Sequence, residues 1–257
     1  MGSERQQKIL AVLPARYAST RFPGKVIAPL LGKPLVWHTY QQTRKSSLVT
    51  EAVVATDDRR VVEALSPLGV PTVMTRPVHV SGTDRVAEVA ENSDAPIIVN
   101  VQGDEPTIDP HTIDAAIQAL LDDPEAQMST AKRRITDIAD IVSPHVVKVV
   151  CDGLCRALYF SRAPIPHIRD DGDRHMVTTV YWQHIGLYVF RREFLLKYSK
   201  MAPTPLEKLE KLEQLRVLEN GFPIAVVETG YRNIGVDTPE DLDRATDLAR
   251  KSQEKAR

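Results

Sequence analysis

The chain lacks several features that would place it in a common class of proteins. It has only two cysteines in 257 residues, and no apolar run approaches the length of a transmembrane helix. The N-terminal residues are too polar for a secretion signal. The formal net charge is −1, which argues against binding of nucleic acid or a membrane surface through bulk charge. We therefore expect a cytoplasmic protein with reduced thiols that acts on small molecules.

The order of its segments predicts an α/β fold. There is no internal repeat, and hydrophobic residues make up 42% of the chain, enough for a real core. Strand-like runs alternate with helix-like segments through the first half, which predicts βαβ units and a doubly wound, mainly parallel sheet. The predicted strands are Ile9–Leu13, Ala52–Thr56, Thr72–Met74, Ile97–Val101 and Met128–Ala131, and the predicted helices are Leu35–Arg44, Arg59–Leu65, Asp84–Glu91 and Pro110–Leu121.

The second half of the chain has a different pattern. The apolar runs Val146–Val150 and Leu154–Phe160 flank Asp152-Gly153, which is a strong hairpin signal. Gln183–Phe190 is a further strand candidate. We predict a single α/β domain over residues 8–250, to which residues 146–190 add antiparallel strands or a small lobe, and a charged tail, 251–257, that frays.

A loop rich in cations follows the first predicted strand. It contains Arg16, Arg21 and Lys25, and arginine and lysine are suited to phosphate oxygens. It is not a Walker A loop, because Ser19 stands in place of the first glycine and Val26 follows the lysine where a hydroxyl is needed. A solvated basic loop would explain any one of these cations. Three together, after a buried strand, favour a triphosphate site.

Two aspartates are candidates for holding magnesium. Asp104 follows the buried strand Ile97–Val101, and such strand ends meet at one edge of a parallel sheet. Magnesium in proteins is usually held by few carboxylates together with phosphate oxygens. Glu105 is a competing candidate for the ligand. Alternatively, Asp104 has only a structural role as a turn residue. Asp237 directly precedes Thr238, a fitting helix N-cap. From the residues alone, metal binding and a structural role are about equally supported at Asp237.

A second group of polar residues lies among apolar ones. We predict a helix over Pro205–Glu219, in which Glu213 falls within an apolar sector. A carboxylate there is rarely buried without a partner, although a local twist could expose it. His184 and Tyr188 have even spacing in one strand and should share a face, although such residues are more often structural.

Seven motifs in order resemble one family over nearly the whole chain. They are Pro14–Lys25, Ala55–Asp57, Ser81–Arg85, Asn100–Pro106, Ala157–Arg162, Leu212–Arg216 and Gly235–Asp241. Together they are similar to the 3-deoxy-D-manno-octulosonate cytidylyltransferases, or CMP-Kdo synthetases. The resemblance implies a fold like that of nucleotide-diphospho-sugar transferases. It also implies a magnesium-dependent homodimer that transfers CMP from CTP to 3-deoxy-D-manno-octulosonate (Kdo), releasing pyrophosphate, in lipopolysaccharide synthesis.

The resemblance further implies roles for individual residues. The catalytic set is Arg16, Arg21, Lys25, Asp104 and Asp237, of which the two aspartates hold Mg²⁺. The CTP site comprises Pro14, Ala15, Arg16, Arg21, Lys25, Ser81, Gly82, Arg85 and Gln102. The sugar site comprises Arg162, His184, Tyr188, Glu213 and Gln214, and the 146–190 segment also supplies dimer contacts. Two alternatives stay open: a cytidylyltransferase for another acidic sugar, such as sialic acid, and a nucleotide-binding module without turnover.

Overall fold

The computed structural model describes residues 7–18, 22–170, 177–232 and 235–255. The chain forms two compact units. Unit 1 comprises Met1–Asp114, Arg191–Ser199 and Asn233–Arg257, and unit 2 comprises Ala115–Phe190 and Lys200–Arg232. Within the described ranges, no helix is long and apolar enough to cross a membrane. The interpretation of residues 8–250 as a single domain stays a prediction.

The bounds of the strands and helices are as follows. The strands are β1 (Ile9–Pro14), β2 (Pro29–Leu30), β3 (Lys33–Pro34), β4 (Glu51–Thr56), β5 (Thr72–Met74), β6 (Ile97–Val101), β7 (Met128–Arg134), β8 (Lys148–Cys151), β9 (Ala157–Ser161), β10 (Trp182–Arg191) and β11 (Ile224–Glu228). The helices are α1 (Leu35–Thr43), α2 (Arg59–Leu65), α3 (Gly82–Glu91), α4 (Pro110–Asp122), α5 (Ile138–Val142), α6 (Val177–Val180), α7 (Arg192–Tyr198), α8 (Pro205–Glu210), α9 (Leu215–Glu219) and α10 (Pro239–Lys255). Short 3₁₀ helices cover Lys25–Ile27 and Ser66–Leu68.

Unit 1 is built on four parallel strands in the order β6, β1, β4, β5. Every residue of β6 is buried, as is β1 up to Leu13, because their branched apolar side chains are covered on both faces. All four strands therefore end at the same edge of the sheet, as the sequence predicted. At that edge Gly103 lies so close to β1 that an added Cβ would be 2.7 Å from the carbonyl oxygen of Pro14. Only glycine fits such an approach.

Helix α3 has a defined start at the same edge. The Ser81 hydroxyl accepts a hydrogen bond from the main-chain N–H of Asp84 at 3.1 Å, and the Asp84 carboxylate accepts one from the N–H of Ser81 at 3.2 Å. This capping box fixes Ser81 and Gly82 at the helix N-terminus.

Unit 2 contains the predicted antiparallel strands. Strands β7 and β11 are parallel, whereas β10 pairs antiparallel with both β7 and β8. Strands β8 and β9 form the hairpin that Asp152-Gly153 predicted, and the Asp152 carboxylate accepts main-chain hydrogen bonds from Leu154 and Arg156 at 2.9 and 2.8 Å. The predicted fold class, mainly parallel α/β with added antiparallel strands, is confirmed.

The helix predicted over Pro205–Glu219 is wrong, because the chain forms two short helices there. Lys211 ends α8 in the left-handed conformation, with φ of 55°. Leucines at every third position wind around a continuous helix, so they cannot all be buried on one side. The break lets Leu212 and Leu215 be buried while Leu209 stays 80% exposed. Glu213 consequently lies in the connection between α8 and α9, and not in the apolar sector of a helix.

Helix α10 continues to Lys255, into the 251–257 segment that was predicted to fray. Fraying of that tail stays a prediction.

Candidate active site

The ammonium group of Lys25 lies between the two aspartates predicted to hold metal. Its Nζ donates to Asp104 Oδ2 at 2.6 Å, to Asp237 Oδ1 at 2.9 Å and to the carbonyl oxygen of Val236 at 3.0 Å. Burial alone would lower the pKa of Lys25, but the two carboxylates outweigh it and raise the pKa above its ordinary value. Lys25 therefore carries a full positive charge at neutral pH.

Asp104 and Asp237 reach this point from distant parts of the chain. Asp104 follows the end of β6, and its carbonyl oxygen accepts from the N–H of Val236 at 3.0 Å, which ties the two segments together. At the start of α10, the Thr238 hydroxyl caps the N–H of Asp241 at 3.2 Å. The Asp241 carboxylate accepts in return from the N–H groups of Asp237 and Thr238. The start of α10 thus places the Asp237 carboxylate where it accepts from Lys25.

These residues line a cavity of about 280 Å³ in unit 1. Its walls include seven of the residues predicted for the CTP site as well as the two aspartates. The lining residues are Pro14, Arg16, Lys25, Val26, His79, Val80, Ser81, Gly82, Arg85, Gln102, Asp104 and Asp237. Ala15 is fully buried and is not among the lining residues. Its N–H donates to the carbonyl oxygen of Ala55, which continues the pairing of β1 with β4. Arg21 lies outside the described residues.

Arg85 is held in the wall of this cavity by neighbouring strands. Its side chain is 5% exposed and donates to Asp57 Oδ2 at 3.0 Å and to the Thr75 hydroxyl. Gln102 is held similarly, because its amide donates to Asn100 Oδ1 at 3.3 Å. Both side chains are therefore held by hydrogen bonds to protein groups.

Four of the five predicted sugar-site residues are linked in unit 2. His184 is buried, and its Nε2 lies 2.9 Å from the Thr130 hydroxyl. Its ring centroid is 5.6 Å from that of Tyr188, so the two side chains share a face although β10 has an irregular register between them. The Tyr188 hydroxyl donates to Gln214 Oε1 at 3.2 Å. Burial, with a smaller contribution from Glu213, raises the pKa of Tyr188.

The ring of His184 and the amide nitrogen of Gln214 are suited to a polar ligand. Burial lowers the pKa of His184 to about 3, so its ring is neutral at physiological pH. The amide nitrogen of Gln214 is buried and has no hydrogen-bond partner among the described residues. A buried donor without a partner is costly unless a ligand or water satisfies it.

Arg162 holds the connection between α8 and α9. Its guanidinium donates to the carbonyl oxygens of Glu210 at 2.8 Å, Pro144 at 2.8 Å and Lys211 at 3.5 Å. Its N–H donates to the Glu210 carboxylate at 2.9 Å. A role for Arg162 in sugar binding stays a prediction.

The family of the chain follows from comparison with known proteins. Residues 10–229 match the cytidylyltransferase family. Over 246 residues, the chain is 56% identical to a 3-deoxy-manno-octulosonate cytidylyltransferase of Geobacter metallireducens, a match that covers 93% of this chain and 97% of the relative. The chain belongs to the 3-deoxy-manno-octulosonate cytidylyltransferase family. The resemblance drawn from the sequence motifs is therefore confirmed.

Solved structures of this family and its fold also match. The structure of CMP:2-keto-3-deoxy-manno-octonic acid synthetase complexed with CTP has a TM-score of 0.89 and 39% identity, and the match covers 96% of this chain and all (100%) of the other. A putative glucose-1-phosphate thymidylyltransferase from Bacillus anthracis, in complex with a sucrose, has a TM-score of 0.65 at 15% identity, with 95% of each chain covered. This second likeness shows the fold alone.

The site of this cytidylyltransferase fits magnesium by its donor types. No group of three or more metal-binding His, Cys, Asp or Glu side chains occurs in the described part of the chain. Magnesium, however, is usually held in proteins by one or two carboxylates together with substrate phosphates. Asp104 and Asp237 supply two carboxylates, and both form ion pairs with the ammonium group of Lys25. Magnesium as cofactor stays a prediction.

The sequence interpretation missed His79 and Val80 in the cavity wall. The ring of His79 contacts the Glu88 carboxylate on α3, which also accepts from the N–H of Arg76 at 3.1 Å. Burial raises the pKa of Glu88, but the contacts with His79 and Arg76 together lower it below its ordinary value. The only sequence signal was that His79 lies two residues before the Ser81-Gly82 motif.

Proposed function

We propose that this chain transfers CMP from CTP to Kdo, giving CMP-Kdo and pyrophosphate. The observation that carries the proposal is the cluster of Lys25, Asp104 and Asp237 in the wall of a cavity that also contains Arg16. Two carboxylates and three cationic side chains, Arg85 being the third, in one small cavity suit a triphosphate that arrives with a divalent cation. Relatives more than half identical to this chain carry the matching name.

The mechanism would depend on positioning and charge. Arg16 and Lys25 would offset negative charge on the triphosphate, with Lys25 nearest the α-phosphate, while the anomeric hydroxyl of the sugar attacks the α-phosphorus in line. A magnesium ion held by Asp104 and Asp237 would supply further charge neutralisation at the phosphates. Gln102 and Arg85 are fixed by their neighbours and would orient the nucleotide without rearranging. No covalent intermediate is required.

The sugar would bind at the cluster in unit 2. Tyr188 and Gln214 offer hydrogen-bonding groups in an otherwise buried setting, and the partnerless amide nitrogen of Gln214 would donate to a sugar hydroxyl. The neutral ring of His184 packs against Tyr188, and half-buried Glu213 adds a charged acceptor. Arg162 would attract the acidic group of the sugar. This set favours a ligand with several hydroxyl groups and one negative charge.

The wider setting is also a proposal. The protein would act in the cytoplasm, and its product would enter lipopolysaccharide synthesis. It would form a homodimer, for which the β8–β9 hairpin offers a surface, since Leu154 is 73% and Leu158 61% exposed.

The direct test is release of pyrophosphate on mixing CTP, Mg²⁺ and Kdo. We expect release that requires all three components and stops when EDTA removes the metal. The same assay with sialic acid in place of Kdo tests the alternative sugar, and the 8-amino analogue of Kdo tests specificity. Binding of CTP without release with any sugar would instead make the chain a nucleotide-binding module.

A further inference from the structure

Lys148 is a fully buried lysine in unit 2 that the proposed mechanism does not use. Its side chain is 0% exposed, and its Nζ donates to the carbonyl oxygens of Ser143 at 2.9 Å, Val146 at 2.6 Å and Arg162 at 2.5 Å. Burial is also the main influence that lowers its pKa. A buried ammonium group costs free energy even when it is well hydrogen-bonded, so an apolar residue would be the simpler choice for stability alone.

The position of Lys148 connects it to two residues of the sugar site. On β8 it pairs with Ser161 of β9 and with Gln183 of β10. Each of these partners is followed directly by a predicted sugar-site residue: Arg162 just after the end of β9, and His184 within β10.

The main chain next to Lys148 also holds His184. The N–H of His184 donates to the carbonyl oxygen of Val147 at 2.8 Å. The main chain at residues 147 and 148 therefore contacts His184 directly and pairs with Ser161, the neighbour of Arg162.

Lys148 and Arg162 hold the same loop. Lys148 binds the carbonyl oxygens at both ends of the 143–146 segment, and Arg162 binds that of Pro144 between them. Lys148 also binds the carbonyl oxygen of Arg162 itself. Loss of the ammonium would leave three partly buried carbonyl groups without this donor, one of them on Arg162, and would weaken the hold on its backbone.

We propose that Lys148 is a positioning residue for the acidic-sugar site. It fixes the backbone of Arg162 and the adjoining 143–146 loop, and it does not itself touch the sugar. The inference rests on the sugar site of the proposed function. It explains why an ammonium group is kept in a place where a methionine would fill the space.

The test is Lys148→Met, which keeps the length of the side chain and removes its charge and donors. We expect the KM for Kdo to rise about tenfold or more while the KM for CTP stays unchanged, as for residues that orient binding groups. Lys208→Met, at an exposed lysine of α8, is the control and should change neither constant. Lys148→Arg keeps the charge and should recover part of the affinity for Kdo.

The outcomes separate this inference from the proposed function. A purely structural lysine would lower the thermal midpoint and the active fraction without changing either KM, and that result would overturn the inference. No pyrophosphate release by the wild-type protein with any sugar would overturn the proposed function instead. If Lys148→Met does not fold, hydrogen exchange of the wild-type protein decides. Kdo should then slow exchange in residues 143–148, and unchanged exchange there with protection at 212–216 would refute the inference.

Discussion

The Lys25 ammonium lies 2.6 Å from a carboxylate oxygen of Asp104, a residue 79 positions further along the chain. It also lies 2.9 Å from Asp237, so one cation offsets the charge of two carboxylates. In a partly buried site such a pair of carboxylates would otherwise repel. Lys25 therefore influences both the phosphates and the two groups proposed to hold magnesium, and its two roles can be tested separately.

Lys25→Met should lower kcat far more than it weakens CTP binding. The ammonium is most valuable as charge develops on the phosphates, so we expect kcat to fall about 100-fold or more, with only a few-fold change in the KM for CTP. Steady-state assays of pyrophosphate release measure both constants, and exposed Lys45→Met is the control. A variant with normal kcat and a raised KM would reduce Lys25 to a binding contact.

The same variant should bind a divalent cation more tightly in the absence of nucleotide. Loss of the ammonium removes one positive charge that lies against the carboxylates of Asp104 and Asp237. We therefore expect Mn²⁺ affinity to rise about tenfold, or roughly 1.4 kcal/mol. Electron paramagnetic resonance of free Mn²⁺ measures this without turnover. Equal affinity in both proteins would mean that Lys25 does not compete with the metal.

The secondary structure was largely predictable, whereas the connections between distant segments were not. Buried strands such as Ile97–Val101 have the expected bounds, because short runs of branched apolar residues are typical of buried parallel strands. The break at Lys211 was missed, since a left-handed conformation at a lysine has no sequence signal.

The candidate active site was also predictable in its local features and not in its long-range contacts. The position of Asp104 could be expected from its place after a strand, but Asp237 was supported on equal terms with a structural role until the resemblance was considered. The contact of Lys25 with both depends on how Val236 packs near the end of β6, which no local pattern encodes. The contact of His79 with Glu88 likewise depends on how two segments pack together, and no local pattern predicts it.

Acid should destabilise the fold through His184. Burial lowers its pKa from 6.5 to about 3, so the unfolded chain binds a proton that the folded chain does not between these values. The stabilising contribution is therefore complete above pH 6.5 and is lost as the pH falls towards 3, with about 1.4 kcal/mol lost between pH 7.5 and 5.5. Urea unfolding at the two pH values should show this loss in the wild type and a smaller one in His184→Asn. Equal losses would mean that His184 is not the titrating group.

The hairpin should contribute to a dimer interface. Leu158→Glu places a charge on an apolar residue that is 61% exposed. We expect light scattering to give a dimeric mass for the wild type and a monomeric mass for this variant at micromolar concentration. Leu209→Glu, at another exposed leucine of unit 2, should remain dimeric. A fully active wild-type monomer would refute the proposed assembly.

Asp237 and Asp241, at the start of α10, allow a sharper test of the metal site. Asp237 contacts Lys25, whereas Asp241 caps main-chain N–H groups. Asp237→Asn removes a charge from the proposed metal site, so we expect activity to fall by orders of magnitude. Its thermal midpoint should change little, because its ion pair is 47% exposed on the Asp237 side and the cap of α10 does not include its side chain.

Asp241→Asn should give the opposite result and serves as the matched control. It removes a negative charge at a helix N-terminus, which should cost about 0.5–1 kcal/mol of stability. Turnover should stay within a few-fold of the wild type, because Asp237 keeps its contact with Lys25. The measurements are turnover with Mg²⁺ and thermal unfolding without it, for both variants. If Asp237→Asn turns over normally, the carboxylate of Asp237 has no part in the mechanism, and the metal would depend on Asp104 and the phosphates alone.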